Sequence, residues 1–158
     1  MNSVVFMGKR TDKMKASDNR RKRMWVQSKG PEYAADLNER TKAYHETEGG
    51  KFAMKAGAAN TRAKQASRQF KGVGYTKISA ADMRAIWDAQ GGVCAGCKTA
   101  KLDLYKKYDH VTDHIIPFSA GGAHAIDNIQ FLCQDCNTVK FRAESADRAT
   151  ARRVARGE

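Results

Sequence analysis

The amino-acid sequence predicts an α+β protein in which a basic, helical N-terminal arm precedes a small module of two strands and a helix. Three observations support this prediction. The first half of the chain holds most of the excess positive charge. That half also contains alanines and phenylalanines at helical spacing, and the second half contains two C-x-x-C motifs that flank short β-branched segments.

The charge distribution favours a polyanionic partner for one part of the chain. The 158 residues include 29 lysines and arginines against 17 acidic residues, a net charge of +12. Residues 1–74 carry a net +10, whereas residues 75–142 and 143–158 carry +1 each. Such an excess is typical of nucleic-acid binding, although it also serves solubility alone. We therefore expect a nucleic-acid-binding arm at 1–74, a folded domain at 75–142 and a basic helix or tail at 143–158.

The composition excludes a membrane protein and argues against a secreted one. No segment approaches the roughly 20 apolar residues that cross a bilayer. The apolar stretch at 4–7 is far shorter than the core of a signal peptide. We expect a soluble cytoplasmic protein without a membrane partner.

The arm is predicted to be partly disordered and partly helical. Residues 1–30 show little periodicity, and we expect most of them to be mobile. Pro31 suits the first position of a helix that reaches about Glu48, where Gly49–Gly50 would end it.

A second helix is predicted at 51–70, because small apolar residues recur there at steps of three and four. They indicate close packing on a partner helix, and the other faces are basic. Binding along nucleic acid and an ordinary solvated face both remain open for these basic residues. The candidate phosphate contacts of the arm are Arg20, Arg21, Lys22, Arg23, Lys55, Arg62, Lys64 and Arg68.

A third helix is predicted to begin after Ser79 and to stop at Gly91–Gly92. Asp82 lies three positions after Ser79, which resembles a capping box. Met83, Ile86, Trp87 and Gln90 share one face of this helix, and core packing onto the following module is the favoured interpretation.

The four cysteines predict a structural zinc site. Cys94, Cys97, Cys133 and Cys136 form two C-x-x-C pairs with 35 residues between them. A redox disulfide is the alternative, but a thioredoxin-type motif uses a single pair. Four thiolates fill the coordination sphere of Zn²⁺, so this metal would hold the fold rather than activate water. The long spacer indicates that further structure lies between the two pairs.

The spacer is predicted to contain a strand, a loop and a second strand, with a helix after it. Residues 111–116 are rich in β-branched side chains and end before Pro117. Residues 119–122 form the loop, 129–132 the second strand, and the segment from Gln134 to about Glu144 the helix.

The motif D-H-I-I-P, followed by G-G and then N-I-Q-F-L-C-Q-D-C-N-T-V-K, resembles the HNH endonucleases over residues 79–142. The resemblance implies a ββα-metal fold and cleavage of DNA to 5′-phosphate and 3′-hydroxyl ends. It places the first motif histidine at His114 and the middle asparagine at Asn128. The third position is Asn137, where the family often has histidine, so this chain has a His-Asn-Asn variant. An amide oxygen is a harder ligand than imidazole and favours Mg²⁺ or Mn²⁺.

These residue types suit hydrolysis of a phosphodiester. A histidine with an ordinary pKa near 6.5 serves as general base for water at neutral pH. Asp113 and Asn137 offer oxygen ligands to a hard divalent ion. Lys140 lies three residues after Asn137 on the same helical face, where it would touch the phosphate. By the resemblance, Asn128 would hold the backbone at His114.

Because adjacent residues of a regular strand point to opposite faces, Asp113 and His114 share a site only where the strand ends or twists.

Three other histidines receive separate interpretations. His110 would line the cleft or be an exposed strand residue. His124 would contact substrate or lie passively in the loop. His45 is expected on the surface.

Double-stranded DNA is the favoured substrate, and structured RNA is the other candidate. The alternative function is a non-catalytic, zinc-braced nucleic-acid-binding protein. Small HNH proteins with basic appendages are typical of phages and mobile elements. The resemblance alone therefore implies that this protein acts in the cytoplasm of a bacterial or phage-infected cell. Target sequence, strand choice and oligomeric state are left open by the sequence.

Overall fold

The computed structural model of the chain describes residues 12–70 and 72–157, with side chains from residue 16 onward. This part of the chain is mixed α and β, as predicted. In chain order the elements are α1 (Asp12–Ser28), α2 (Pro31–Glu46), α3 (Glu48–Gln69), α4 (Ala80–Gln90), β1 (His110–His114), β2 (Ile129–Cys133) and α5 (Gln134–Arg156). None of the described helices is long and apolar enough to cross a membrane.

The chain divides into two compact units, Met1–Ala43 and Tyr44–Glu158, which are described separately. This division differs from the boundary at residue 74 that charge and composition suggested. The reason is that α3 is basic on its outer faces but packs its apolar stripe into the core of the second unit. The functional division into arm, nuclease domain and tail stays a prediction.

In the first unit, α1 occupies residues for which the sequence suggested little regular structure. Residues 1–11 of that interpretation lie outside the described part. From residue 16 onward, Asp18 and Val26 are the partly buried residues of α1 and the others are exposed, so the helix has no apolar stripe to give a periodic signal. The ring of Trp25 contacts Tyr33 edge-on at 5.7 Å.

The helix predicted from Pro31 is confirmed, but Gly49 and Gly50 do not end it. Both glycines lie in the first turn of α3, whose N-cap is Thr47 with its hydroxyl accepting from the Gly50 N–H at 3.1 Å. A Cβ on residue 50 would collide with the Tyr44 carbonyl group. Gly50 is therefore required by the close approach of the Tyr44 backbone just before α3.

The helix predicted at 51–70 is confirmed as α3, and its small-residue stripe is buried. Phe52, Ala56 and Ala59 lie on the side of α3 that packs against α4, and they belong to one core with residues of β2. Other members of this core are Ile78, Met83, Leu104, Ile129 and Phe131. Alanines allow the backbone of α3 to lie close to its neighbours, as the spacing of the small residues predicted.

The third predicted helix is confirmed as α4, including both of its ends. Ser79 and Asp82 form a complete capping box, and Gly91 ends the helix in the left-handed conformation at φ 63°. Gln90 ties α4 to β2, because its side chain accepts from the Phe131 N–H at 2.8 Å and donates to the Phe131 carbonyl at 3.1 Å.

The two strands form an antiparallel pair that leads directly into α5. The register places His110 opposite Cys133 and His114 opposite Ile129. The segment 143–158, predicted as a helical or frayed tail, continues α5 as far as Arg156. The order strand, loop, strand, helix matches the predicted ββα arrangement.

Two glycines of α3 give opposite predictions for stability. We expect Gly50→Ala to destabilise the protein, because the new methyl collides with backbone atoms of Tyr44. We expect Gly57→Ala to raise the free energy of unfolding by about 0.5–1 kcal/mol, since nothing lies within 4 Å of its Cβ position and alanine favours the helix. Chemical denaturation of both variants measures the difference. Equal effects would contradict the packing at the α2–α3 junction.

Candidate active site and metal centre

The four cysteines come together as the sequence predicts. One ligand atom from each of Cys94, Cys97, Cys133 and Cys136 lies within 4.8 Å of the others. None of the four is in a disulfide. Four convergent thiols are the donor set of a zinc-type site, and thiolates bound to one tetrahedral Zn²⁺ lie about 3.8 Å apart, given Zn–S distances of about 2.3 Å.

Backbone N–H groups point at these sulfurs, which favours thiolates. The Sγ of Cys94 accepts from the N–H of Cys133 at 3.2 Å and from that of Gly96 at 3.4 Å. Hydrogen bonds from the Thr99 side chain, and then from backbone N–H groups of Thr99 and Ala100, lower the pKa of Cys97 to about 6. The thiol of Cys136 hydrogen-bonds to Cys133 and is partly desolvated, which raises its pKa to about 12. Ionising one thiol in the metal-free cluster therefore disfavours ionising the next.

Asp113 and His114 occupy the last two positions of β1 and point to different neighbours. The Asp113 carboxylate accepts from Gln130 of β2 at 3.1 Å. The His114 ring packs on Phe118, with the ring centroids 4.3 Å apart. Both residues nevertheless border one cleft of about 460 Å³, because the strand ends there. Adjacent residues of a regular strand point to opposite faces, but at the end of β1 both Asp113 and His114 reach the same cleft.

We call this space the β1-end cleft, and basic, acidic and aromatic side chains surround it. Arg62 of α3 donates to the Thr112 carbonyl at 3.1 Å on one side, and Glu144 and Arg148 of α5 border the other. The full lining is Arg62, Ala66, Val111, Thr112, Asp113, His114, Pro117, Phe118, Phe141, Glu144 and Arg148.

Asn128 is buried and bridges the loop that follows His114. Its Oδ1 accepts from the Ile116 N–H at 2.8 Å, and its Nδ2 donates to the carbonyls of Ile116 and Ala123 at 3.0 and 2.7 Å. A Cβ on Gly122 would collide with the Ile116 carbonyl, so the second glycine of the G-G motif permits this close turn. The side-chain partners of Asn128 are therefore Ile116 and Ala123, and a catalytic role for Asn128 stays a prediction.

Lys140 is held inside the protein by three oxygen atoms. Its Nζ donates to the His114 carbonyl at 2.8 Å, lies 3.0 Å from Asp113 Oδ2 and pairs with Glu144. Burial alone would lower the pKa of Lys140, but the hydrogen bonds to Glu144 and Asp113 raise it. A contact of Lys140 with phosphate stays a prediction, and this ammonium group already has the Asp113 and Glu144 carboxylates as partners.

Asn137 lies half-buried on the first turns of α5, three residues before Lys140. Among residues 16–70 and 72–157 its side chain has no hydrogen-bond partner, and Asn137 is not one of the residues that line the β1-end cleft. The three oxygens around Lys140 show that this end of β1 accommodates a positive charge. Hard divalent ions prefer the same oxygen donors, so Asp113 and Asn137 fit such an ion in chemical type.

His114 belongs to a chain of hydrogen bonds that reaches α3. Its Nε2 lies 2.9 Å from Nδ1 of His124, and Nε2 of His124 lies 3.0 Å from Oδ1 of Asn60. His124 is fully buried, with its ring stacked on Tyr75 at 5.3 Å. Burial and then the charge of Arg62 lower the pKa of His124, which keeps the ring neutral.

The pKa of His114 is lowered to about 4. Burial is the largest cause, followed by His124, while the Asp113 carboxylate opposes the change. The imidazole is therefore neutral at neutral pH and free to accept a proton. A phosphate in the β1-end cleft would favour the protonated ring and raise this pKa.

The basic residues predicted for the arm fall in different places. Lys64 and Arg68 are exposed on α3, and Arg62 borders the β1-end cleft. Lys55 is half-buried, and burial followed by the charges of Lys51 and Arg62 lowers its pKa to about 8. The cluster Arg20, Arg21, Lys22 and Arg23 is exposed on α1 of the first unit.

His110 is not the exposed strand residue that one interpretation proposed. It is 8% exposed and packs between Trp87 and Phe131. Burial and the charge of Lys55 lower its pKa to about 4, and neither ring nitrogen has a hydrogen-bond partner among the described residues. It lines a separate cleft with Lys51 and Lys55 rather than the β1-end cleft.

Residues 94–141 match the family model described as HNH endonuclease. This segment is therefore an HNH domain, and the resemblance drawn from its motifs is confirmed there. HNH domains are associated with nuclease or other nucleic-acid-related functions. Neither the curated proteins nor the solved structures gave a match to the chain.

Sequence reasoning missed Asn60 and left His124 undecided. The two lie 64 residues apart, and nothing in their local sequence links them to His114. Glu144 was also missed as a partner of Lys140, although their spacing of four on a helix is a recognisable ion-pair signal. Arg148, considered only as part of the tail, borders the β1-end cleft.

The cysteine cluster predicts one bound zinc ion per chain. We expect elemental analysis to find this ratio in the purified protein and to lose it in Cys136→Ser, because three ligands bind Zn²⁺ more weakly than four. Strong chelators should remove the ion and unfold the module, since binding free energy contributes to folding. A metal-free protein that stays folded with four reactive thiols would contradict the metal centre.

Proposed function

We propose that the protein is a metal-dependent endonuclease that hydrolyses DNA phosphodiester bonds in the β1-end cleft. The observation that carries this proposal is the position of His114. Its neutral, half-buried ring borders an open cleft beside a carboxylate and two arginines, within a segment that matches the HNH family. A phosphodiester bound between Arg62 and Arg148 would lie against this ring.

His114 acts as general base for the attacking water. A neutral imidazole accepts the proton as the water oxygen attacks phosphorus, and the adjacent Asp113 carboxylate stabilises the imidazolium that forms. Asn128 accepts a hydrogen bond from the Ile116 N–H and so fixes the backbone just after His114. A fixed backbone on this side helps to hold the His114 ring in one orientation.

Asp113 and Asn137 would hold the catalytic Mg²⁺ or Mn²⁺. When bound, such an ion would supply positive charge to stabilise the departing 3′ oxygen. Lys140 competes for the Asp113 carboxylate, because its ammonium group lies 3.0 Å from Oδ2. A structural Zn²⁺ held by the four cysteines would fix the start of α5, where Asn137 follows directly after Cys136.

The charge of the chain supports DNA as the partner, with structured RNA as the other substrate. Arginines border the cleft, and the first unit carries 11 basic against 5 acidic residues over residues 1–43. Charges of this kind contact phosphates independently of base sequence. We propose that the exposed cluster on α1 contacts the backbone outside the cleavage site.

A non-catalytic nucleic-acid-binding protein is the second candidate. The observation that favours it is the ion pair of Lys140 with Asp113, since a carboxylate neutralised by lysine needs no metal. In that case the HNH domain would retain its fold and its basic surface without cleaving.

Removing the His114 imidazole separates the two candidates. With Mg²⁺ or Mn²⁺, the wild-type protein should nick or linearise supercoiled plasmid, and His114→Ala should lower the rate by about 10²–10⁴-fold. Zinc content and DNA retention should not change. His45→Ala is the matched control, because His45 lies on α2 and is not among the cleft residues, and it should cleave normally. Binding without cleavage by the wild type in every divalent metal would favour the second candidate.

Neutralising the cluster on α1 tests the proposed arm. Changing Arg20, Arg21, Lys22 and Arg23 to glutamine should weaken DNA binding and flatten its dependence on salt. The log–log slope should fall by about 0.9 for each phosphate that the variant no longer neutralises. Glutamine retains helix propensity, so circular dichroism should not change. Fluorescence anisotropy over a range of salt concentrations measures the slope. An unchanged slope would show that this cluster does not bind the backbone.

A further inference from the structure

We propose that Asn60 and His124 are positioning residues that hold the His114 ring as the tautomer with its proton on Nε2 and its lone pair on Nδ1. The role of that lone pair in catalysis rests on the proposed function. The tautomer itself follows from hydrogen bonds on three elements of one compact unit: α3, the loop at 121–125 and the end of β1.

The orientation of the Asn60 amide is the starting point. Its Nδ2 donates to the Ile78 carbonyl at 2.7 Å, and its Oδ1 accepts from the Ile78 N–H at 3.0 Å. Rotating the amide by 180° would place its oxygen against the carbonyl and its NH₂ against the N–H. The backbone of Ile78 therefore determines which Asn60 atom is the oxygen.

The oxygen of Asn60 then sets the tautomer of His124. Oδ1 cannot donate, so Nε2 of His124, 3.0 Å away, must carry a proton. His124 is fully buried, and the neighbouring charge of Arg62 disfavours a second proton on the ring. A neutral ring with its proton on Nε2 has a bare Nδ1, which acts only as an acceptor.

The bare nitrogen of His124 in turn requires a donor from His114. The distance between His124 Nδ1 and His114 Nε2 is 2.9 Å, a normal hydrogen bond. With the proton on its other nitrogen, His114 would direct a lone pair at a lone pair. The His114 tautomer with a proton on Nε2 is therefore favoured, and its Nδ1 remains to accept a proton from water.

Through this series of hydrogen bonds, α3 contributes to the orientation of His114 in addition to its core packing and its positive charge. Asn60 lies on the same helix as Arg62, which borders the β1-end cleft. Tyr75 stacks on the His124 ring, and Phe118 packs against the His114 ring at an interplanar angle of 51°, so each histidine ring is restrained by an aromatic neighbour. The orientation and protonation of His114 thus depend on Asn60, which lies outside the segment 94–141 and acts through His124 inside it.

The tautomer is measurable in the wild-type protein without any assay of cleavage. In ¹⁵N-histidine-labelled, zinc-loaded protein at neutral pH, NMR should show His114 and His124 each with a protonated Nε2 and an unprotonated Nδ1. A proton on Nδ1 of His114 would overturn the proposal, whether or not the protein cleaves DNA.

Two variants of His124 separate positioning from packing. His124→Phe keeps a buried ring against Tyr75 but removes the acceptor. His124→Asn offers an amide oxygen near the position of Nδ1. We expect His124→Phe to mix the His114 tautomers and to lower kcat by about 10–100-fold with little change in KM for DNA. His124→Asn should retain the Nε2–H tautomer and recover part of kcat.

The outcomes distinguish this proposal from the proposed function. If His124→Phe leaves the His114 tautomer unchanged, or if both variants lose activity equally with that tautomer intact, His124 has only a packing role and the proposal is wrong. If the wild type shows the expected tautomers but cleaves no DNA, the positioning holds and the nuclease function fails.

Discussion

Four cysteine sulfurs that lie within 4.8 Å of one another are the constraint on which the candidate site depends. They tie the loop at 94–97 to the end of β2 and to the first turn of α5. Asn137 and Lys140 follow on that helix, and the Lys140 ammonium group lies 3.0 Å from Asp113 Oδ2. A core of about a dozen apolar residues is small for a module of this size, and a metal at the cluster would supply the missing stability.

The second constraint is the packing of α3 on the module. By charge this helix belongs with the basic arm, but its alanine stripe joins it to α4 and β2. The same helix presents Asn60 to the buried His124 and Arg62 to the β1-end cleft. One element therefore contributes core packing, a cleft cation and a hydrogen bond directed towards His114. This explains why the compact unit begins at Tyr44 rather than after residue 74.

Local signals in the sequence predicted most of the elements. Pro31, the Ser79–Asp82 capping box, the β-branched segments and the paired cysteines each act over a few residues, so they could be identified directly. The role of Gly50 could not be predicted, because a glycine that ends a helix and one that allows a close backbone approach look alike in the sequence. The series of hydrogen bonds from Asn60 through His124 to His114 could not be predicted either, because tertiary packing brings together residues that are far apart in sequence. The pairing of Lys140 with Asp113 depends on how α5 lies against β1, which no local pattern specifies.

Cleavage of a defined duplex oligonucleotide in H₂¹⁸O, followed by mass spectrometry of the products, tests the central claim most directly. If His114 activates water for attack on phosphorus, the wild-type protein with Mg²⁺ or Mn²⁺ will release strands with one ¹⁸O in a 5′-terminal phosphate. The labelled product will nearly disappear in His114→Ala. Products without the label, or labelled products formed equally fast by His114→Ala, would contradict hydrolysis by His114 in the β1-end cleft.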